Sequence, residues 1–260
     1  MSAQRLAGRA GVDLLQARSI ETHCVEAWPP AVVRHTDDGW ILRATPGLPG
    51  RGRSNHALPP TRRLKPAEYD RVVDRVVAFA DEHGSDAGIQ VSPMDLHATF
   101  SDALVERGWR LGNPVKVMIV DTRSVPVPDE RFELTVSDHA SDEWVKAWAR
   151  CDSRPDIDDH VRHVFPRMAG RAHFARAGDS AVGISVERDG LVGLFCLAVD
   201  PARRRQGIGK ALVGAMLARY TAPLTYLQVF TGNDAGIALY RSLGFREAYW
   251  YLHATAPAGR

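Results

Sequence analysis

The sequence predicts an α/β fold, a mixed and largely antiparallel sheet flanked by helices, arranged as two tandem domains. Three observations carry that prediction. From residue 172 the chain reads as three strands, a helix, a strand, a helix and a final strand, the alternation of an α/β layer. Near the middle, "DTRSVPVPDER" (121–131) sets two prolines among charges and leaves a strand as an extended linker. Finally, "DALVERGWR" (102–110) lies over "IALYRSLGFR" (237–246), with Gly108 on Gly244, Trp109 on Phe245 and Arg110 on Arg246, which points to an internal duplication. The expected division is a first domain over 1–124, a linker over 125–131 and a second domain over 132–260.

The elements follow in order. In the first half, "GIQVSP" (88–93) and "VKVMIVD" (115–121) read as strands. In the second, "RFELTV" (131–136) suggests a strand and "SDEWVKAWARC" (141–151) a helix, capped by Ser141 with Asp142 and Glu143 facing the positive helix end. The polar "DSRPDIDDH" (152–160) leads to a short helix ending near Val164. "AHFARAG", "SAVGISVERDG" and "LVGLFCLAVD" follow as strands turning at "AGDS" and "RDG", an antiparallel meander. Ile208, Leu212, Met216 and Tyr220 recur every four residues beside Ala211 and Ala215, one apolar face of a helix. "LTYLQVF" (224–230) reads as a buried strand, "NDAGIALYRSLG" (233–244) as an amphipathic helix closed by Gly244, and "REAYWYLHAT" (246–255) as the last strand.

Composition narrows the function classes. The chain has 260 residues, 45% hydrophobic and 25% charged, ordinary for a globular protein of one large or two modest domains. No run approaches the roughly 18–20 apolar residues of a membrane span, and the start lacks an apolar core with a small-residue cleavage site, so a soluble, cytoplasmic protein is expected. Cys24, Cys151 and Cys196 are too few and scattered for a disulfide framework. Cys196, between apolar neighbours, reads as a buried structural cysteine rather than an acyl-carrying nucleophile. His160 and His163 stand three apart with no further ligands at a usual interval, so no metal is expected. A net charge of +2 gives no global sign of nucleic-acid binding.

The stretch with the most chemistry is "VDPARRRQGIG" (199–209), three arginines and two glycines between a strand and a helix. Such a turn presents free backbone N–H groups and the positive helix end, a natural seat for phosphate oxygens. Gly207 and Gly209 let the backbone approach closely, and Arg203, Arg204 and Arg205 add charge. Neither the Walker pattern nor the three-glycine dinucleotide fingerprint is met, because Lys210 follows the second glycine without the required preceding interval and without a Ser or Thr after it, and no third glycine is present.

What the stretch resembles is the acetyl-CoA loop of the GNAT superfamily of N-acetyltransferases, Arg or Gln, two residues, Gly, one residue, Gly or Ala, here Arg204, Gly207 and Gly209 after Val199 and Pro201. "GNDAGIALYRSLGF" is similar to the superfamily's later segment, with Asn233 near the pantetheine arm and Tyr240 facing the cofactor sulfur. The resemblance covers about 131–253. Over 1–120 it is partial, because no such loop precedes the echoed segment and Leu104 stands where the second copy has Tyr240. The resemblance therefore implies two GNAT-like domains in tandem, the first degenerate and the second catalytic.

By the same resemblance, the reaction is acetyl transfer from acetyl-CoA to a primary amine by direct attack, without a metal. Leu197 and Val199 would supply main-chain contacts to pantetheine, and the amides of Arg204, Arg205, Gln206, Gly207, Ile208, Gly209 and Lys210 would hold the pyrophosphate. Tyr240 would serve as general acid. Glu187, on the strand before the cofactor strand, is the one nearby candidate for a base, and a solvated strand end is its alternative. Asp152, Asp156 and Asp158 crowd a segment suited to an ammonium-bearing acceptor. A small-molecule acceptor such as an amino acid, polyamine or amine-bearing antibiotic is expected. A protein lysine or N-terminal amine, and a non-catalytic acyl-CoA-binding role, are the alternatives. No nucleic acid or membrane partner is expected, and a tandem chain that imitates a dimer by itself favours a monomer over a dimer.

Overall fold

The computed structural model describes residues 13–126, 131–152 and 156–257. In chain order the elements are α1 (Leu14–Ala27), β1 (Val32–His35), β2 (Ile41–Ala44), α2 (Gly52–Asn55), α3 (Tyr69–Glu82), β3 (Gly88–Val91), α4 (Met94–Glu106), β4 (Arg110–Leu111) and β5 (Val115–Asp121). They continue as β6 (Thr135–Ser137), α5 (Asp142–Cys151), α6 (Ile157–His163), β7 (Arg171–Ala177), β8 (Ala181–Arg188) and β9 (Leu191–Val199). The last are α7 (Ile208–Leu217), β10 (Leu224–Phe230), α8 (Asp234–Ser242) and β11 (Arg246–Thr255). The chain divides into two compact units, one reaching Val117 and taking in the chain again from Ala248, the other spanning Met118–Glu247. This differs from a division at 125–131 in two respects: the first boundary falls inside β5, between Val117 and Met118, and the end of β11 packs with the first unit. The reason for the second is its pairing, Leu252 to Thr255 running antiparallel against Val91 to Gly88 of β3. Residues 127–130 of the expected linker lie outside the described residues.

In the first unit, β1 and β2 form an antiparallel hairpin, and β11 also pairs β4. Its core gathers Trp40, Tyr69, Val72, Val76, Phe79, Phe100, Leu104, Trp109 and Trp250. Beside that core lies a buried polar network. Glu21 accepts hydrogen bonds from Ser92 Oγ (2.5 Å), Gln90 Nε2 (2.8 Å) and the Tyr249 hydroxyl (3.0 Å), and burial raises its carboxyl pKa. Arg43, equally buried, donates to Gln90 Oε1 (2.9 Å) and to the His56 carbonyl (2.5 Å). The His56 and His253 rings meet Nδ1 to Nδ1 at 3.0 Å. Gly88 and Gly52 make room for these two rings, since a Cβ on either would lie within 3 Å of one of them.

The sequence echo has a structural counterpart. After α4, Gly108 takes φ +78° and Trp109 N–H donates to the Leu104 carbonyl at 3.0 Å. After α8, Gly244 takes φ +88° and Phe245 N–H donates to the Tyr240 carbonyl, also at 3.0 Å. Both helices thus end in the same left-handed glycine cap, with an aromatic residue folded back onto the helix.

In the second unit the strand order is β5–β10–β9–β8–β7–β6. The predicted meander is present, β7, β8 and β9 pairing antiparallel in sequence, whereas β9 and β10 are parallel. α5 forms as read from the sequence, with Ser141 Oγ accepting from Trp144 N–H at 3.2 Å. "RFELTV" is strand only in its last two residues, because Phe132 and Leu134 pack against the core ahead of β6. Ile208, Leu212 and Met216 of α7 bury their predicted stripe against Val192 and Leu194 on one face of the sheet. Such a side chain contributes about 1.5–3 kcal/mol when fully buried. The other face carries α5, with Trp144 packed on Phe174 of β7 at 5.3 Å between ring centroids.

Candidate active site

Two interruptions of regular pairing create the site. The parallel register of β9 with β10 reaches Leu194 opposite Leu227, and beyond it Leu197 to Val199 pair no β10 residue among the described residues. On the other side, the β8 register shifts between Val182, opposite Ala198, and Ile184, opposite Phe195, leaving Cys196 and Leu197 across from Gly183 alone. This is a β-bulge, and it holds Cys196 at φ +51°. The bulge resets the side-chain alternation. Val192 and Leu194 face α7 before it, and after it Leu197 lies over Gly183 beside Met216 while Val199 lies over Gly209. The strand therefore anchors its side chains under α7 on both sides of the bulge while its main chain stays open toward the gap. Cys196, expected to be buried, is half-exposed on the bulge because the positive φ turns this residue out of the strand's regular alternation.

The loop follows directly. Asp200 closes a 3-10 turn over Pro201–Arg203, its carboxylate accepting from Ala202 N–H at 2.9 Å, and Arg150 of α5 reaches the same carboxylate at 3.6 Å. Arg205 at φ +65° and Gly207 at φ +89° then turn the chain into α7. Gly207 is the helix N-cap and offers no side-chain acceptor. Among the described residues, the backbone N–H groups from Arg204 to Lys210 have no hydrogen-bond acceptor. A helix start normally leaves such donors to a side chain, water or a ligand. Arg204 Nε donates to the Val199 carbonyl at 3.2 Å, and Arg203, Arg205, Gln206 and Lys210 are exposed. Gly209 is tightly enclosed: a Cβ there would lie 3.2 Å from Leu239 Cδ2 and 3.4 Å from Val199 Cγ2, so α7, β9 and α8 converge at this residue.

α8 positions the remaining residues. Asn233 caps it, its Oδ1 accepting from Gly236 N–H at 3.0 Å, which leaves the amide Nδ2 as its donor toward a ligand. Tyr240 is half-buried, with its ring edge-on to Phe245 at 5.8 Å, and its hydroxyl has no hydrogen-bond partner among the described residues. Burial pushes its pKa up to about 12, so the phenol stays protonated.

Other expected residues are not brought to this place. Glu187 pairs with Val192 of β9 and Arg171 of β7, inside the paired part of the sheet. Val192 is seven residues from Val199, about 23 Å along an extended strand. Glu187 is therefore a strand-end carboxylate remote from the loop. Asp152 ends α5 as its C-cap. Asp156, at the start of α6, is 3.3 Å from the buried His160 ring, and the same His160 Nδ1 lies 2.8 Å from the Asp156 carbonyl, a local structural arrangement. Asp158 is exposed in the first turn of α6, and residues 153–155 lie outside the described residues.

Sequence reading passed over Gly193 and Tyr226, which face each other across the last part of the parallel ladder. A Cβ on Gly193 would lie 2.8 Å from the Tyr226 hydroxyl and 2.7 Å from the Phe195 ring, so the phenol fills that space at the foot of the gap. The available signal was a glycine within a strand, which marks close approach by another group.

The solved "GCN5-related N-acetyltransferase from Kribbella flavida" has this fold, with a TM-score of 0.67, 18% identity and coverage of 96% of this chain and 98% of that one. So does the "Tandem GNAT protein from the clavulanic acid biosynthesis pathway", TM-score 0.60, 14% identity, covering 100% of this chain and 93% of that one. The [Ribosomal protein bS18]-alanine N-acetyltransferase of Escherichia coli (strain K12) is 47% identical over 58 residues, 21% of this chain and 39% of that protein. The chain spans half or less of the length of the curated relatives it matches. Among the described residues no helix is long and apolar enough to cross a membrane. The family described as "Probable histone acetyltransferase Rv0428c C-terminal" matches residues 15–253, and the chain belongs to that family and, through it, to the GNAT N-acetyltransferases.

Proposed function

We propose that the second unit binds acetyl-CoA at the 199–210 loop and transfers its acetyl group, by direct attack, to the primary amine of a small molecule. The observation that carries this reading is the run of N–H groups from Arg204 to Lys210 that have no acceptor among the described residues, placed just past the end of β9. The pyrophosphate would accept from these groups, with Gly207 and Gly209 allowing its approach. The open main chain of Leu197 and Val199 would pair the pantetheine arm, and Asn233 Nδ2 would donate to it.

The amine nitrogen attacks the acetyl carbonyl carbon, a C–N bond forms, the C–S bond breaks, and sulfur leaves with the electron pair. Tyr240 meets that sulfur. A phenol at about 12 is a weaker acid than a free thiol near ~8.5, so the hydroxyl acts chiefly as a hydrogen-bond donor to the departing thiolate. The nitrogen's proton passes to solvent in this reading, and Glu187 takes no part. An α-amine with pKa near ~8 reaches its neutral form at pH 7 for about 1.4 kcal/mol, against about 4.6 for a lysine-like amine, so α-amines are the favoured acceptors. Asp152 and Asp158, with Asp156 between them, would draw the ammonium form toward α6. The first unit is a non-catalytic copy in this reading, supported by Leu104 at the position of Tyr240.

A protein N-terminal amine is the second reading, favoured by the name of the bS18-alanine relative. Calorimetric titration with acetyl-CoA, comparing wild type with Gly207→Glu, tests the cofactor site. One site per chain, lost in the variant, supports it, and no binding by wild type overturns it. Turnover on free amino acids, polyamines and Ala-terminated peptides then separates the two acceptors.

A further inference from the structure

A second concave feature of the Met118–Glu247 unit lies away from this loop. It is an open hollow of about 480 Å³ lined by Asp138, His139, Val161, Phe165, Met168 and Phe174, with Gly170 and Ala172 at its sheet side. The strand register separates it from the loop: Arg171, at this end of β7, is level with Glu187 and Val192, the end of β9 opposite to Val199.

The floor is aromatic and firmly held. Phe165 and Phe174 lie 5.3 Å apart in edge contact, and both pack on Trp144, at 5.9 and 5.3 Å. The sheet side is shallow because its residues are small. Gly170, at φ +104°, could carry no side chain without striking the Glu187 carbonyl, 2.5 Å from where a Cβ would stand. The rim is charged on one side only. Arg171 contributes its main chain and stem, because its guanidinium donates to the Arg219 carbonyl at 2.5 Å and sits 4.8 Å over the Tyr220 ring. Asp138, 88% exposed, is joined by its own neighbour, His139, at 2.8 Å, and no lysine or arginine pairs with it among the described residues.

We propose that this hollow is an ancillary binding site for an organic ammonium ion with an apolar body, the cation held between Asp138 and the half-exposed Phe165 ring, with buried Phe174 beneath it. An aromatic face and a carboxylate that no lysine or arginine pairs with among the described residues both attract a cation, and each repels an anion. The volume falls in the range of small-molecule sites, roughly 300–1,000 Å³. The site does not depend on the acetyl-transfer reading, and a ligand here would bind without acetyl-CoA.

The probe is 2-phenylethylammonium, with 2-phenylethanol as its neutral counterpart, followed by intrinsic tryptophan fluorescence through Trp144 and Trp148 at low ionic strength. Saturable binding of the ammonium is expected, about five-fold tighter than the alcohol, which is as much as an exposed carboxylate and cation–π contact at a surface rim supply together. Asp138→Asn should erase the preference for the ammonium, and Ala172→Leu, which fills the hollow, should abolish binding of both. Thermal unfolding checks that both variants fold. If Ala172→Leu does not fold, displacement of Phe165 and Phe174 amide signals on titrating wild type replaces it. Absence of saturable binding to wild type, equal affinity for ammonium and alcohol, or binding unchanged in Asp138→Asn would each overturn the proposal.

Discussion

Tyr240→Phe isolates the chemistry assigned to the phenol. The ring and its contact with Phe245 are kept, and only a hydroxyl without a partner among the described residues is removed. No internal hydrogen bond is broken, so stability should change by less than about 0.5 kcal/mol. In turnover the hydroxyl donates to a sulfur that gains a full negative charge as the C–S bond breaks. A hydrogen bond to a charged group contributes about 1.5–3 kcal/mol, and if it forms only as that charge develops, kcat should fall about 10- to 160-fold. The calorimetric affinity for acetyl-CoA should hold, since the thioester sulfur of the ground state is a weak acceptor. The assay is steady-state turnover on acetyl-CoA, repeated with an acetyl thioester of a more acidic thiol. That leaving group needs less help, so the gap between wild type and variant should narrow. The pH profile gives a further check: the active form is the protonated phenol, lost only as pH rises through about 12, so no alkaline fall in kcat assignable to Tyr240 is expected below pH 10. A variant kcat within two-fold of wild type, or an undiminished gap with the better leaving group, would refute this assignment.

The loop glycines differ in what they require. Gly207→Ala meets only ordinary van der Waals contact, its nearest neighbour 3.8 Å from the new Cβ, but must hold φ +89°, a strain of about 1–2 kcal/mol, so acetyl-CoA affinity should fall about 5- to 30-fold by calorimetry. Gly209→Ala keeps helical backbone and meets Leu239 at 3.2 Å, so its cost, about 1 kcal/mol, should appear first in urea denaturation. Glu187→Gln should leave kcat within two-fold of wild type, and a loss beyond ten-fold would restore Glu187 as a base. His56 is held at a pKa of about 3 by burial and by Arg43, below its ordinary 6.5, so its stabilising effect is present above pH 6.5 and lost as pH falls toward 3. By pH 4 the loss amounts to about 3 kcal/mol. His253 acts in the same direction, and Glu21, with its raised carboxyl, in the opposite one. Urea denaturation at pH 7 and pH 4 should therefore show a smaller acid loss in His56→Leu than in wild type, and equal losses would contradict the burial argument.

Much of the second unit was legible in its residues because local signals and tertiary context agree there. The four-residue recurrence of Ile208, Leu212 and Met216, Ser141 before two acids, and Gly244 after Ser242 and Leu243 each specify a local geometry that burial then reinforces. The loop was legible for the same reason: Gly207 is required by a positive φ and Gly209 by close approach, and both demands are visible as glycines. What was not legible arises from pairing between distant strands. The bulge at Cys196 lies in an unbroken apolar run, and nothing in "LFCLAV" marks where two residues will face one. Glu187 does lie beside β9, as its place on the preceding strand implies, but the antiparallel turn at Asp189 and Gly190 sets it level with Val192, at the opposite end from Val199, and that depends on a register the sequence does not mark. The end of β11 likewise joined the other unit through pairing with β3, a contact between residues more than 160 positions apart.

How particular polar groups are satisfied also bears on where a ligand can bind. In the first unit one cluster of buried side chains is closed on itself: Glu21 takes three donors, Arg43 bridges Gln90 and a carbonyl, and His56 and His253 share one proton position. Groups in that condition fix a core, and recruiting one to a ligand would strip a neighbour of its partner at a cost of about 1–3 kcal/mol. In the second unit, among the described residues, the loop N–H donors from Arg204 to Lys210 and the Tyr240 hydroxyl have no hydrogen-bond partner. Open donors near a surface lose little by waiting in water and gain when a phosphate or a developing thiolate arrives. These open donors, together with the glycine spacing, are the physical ground on which acetyl transfer is proposed for the second unit.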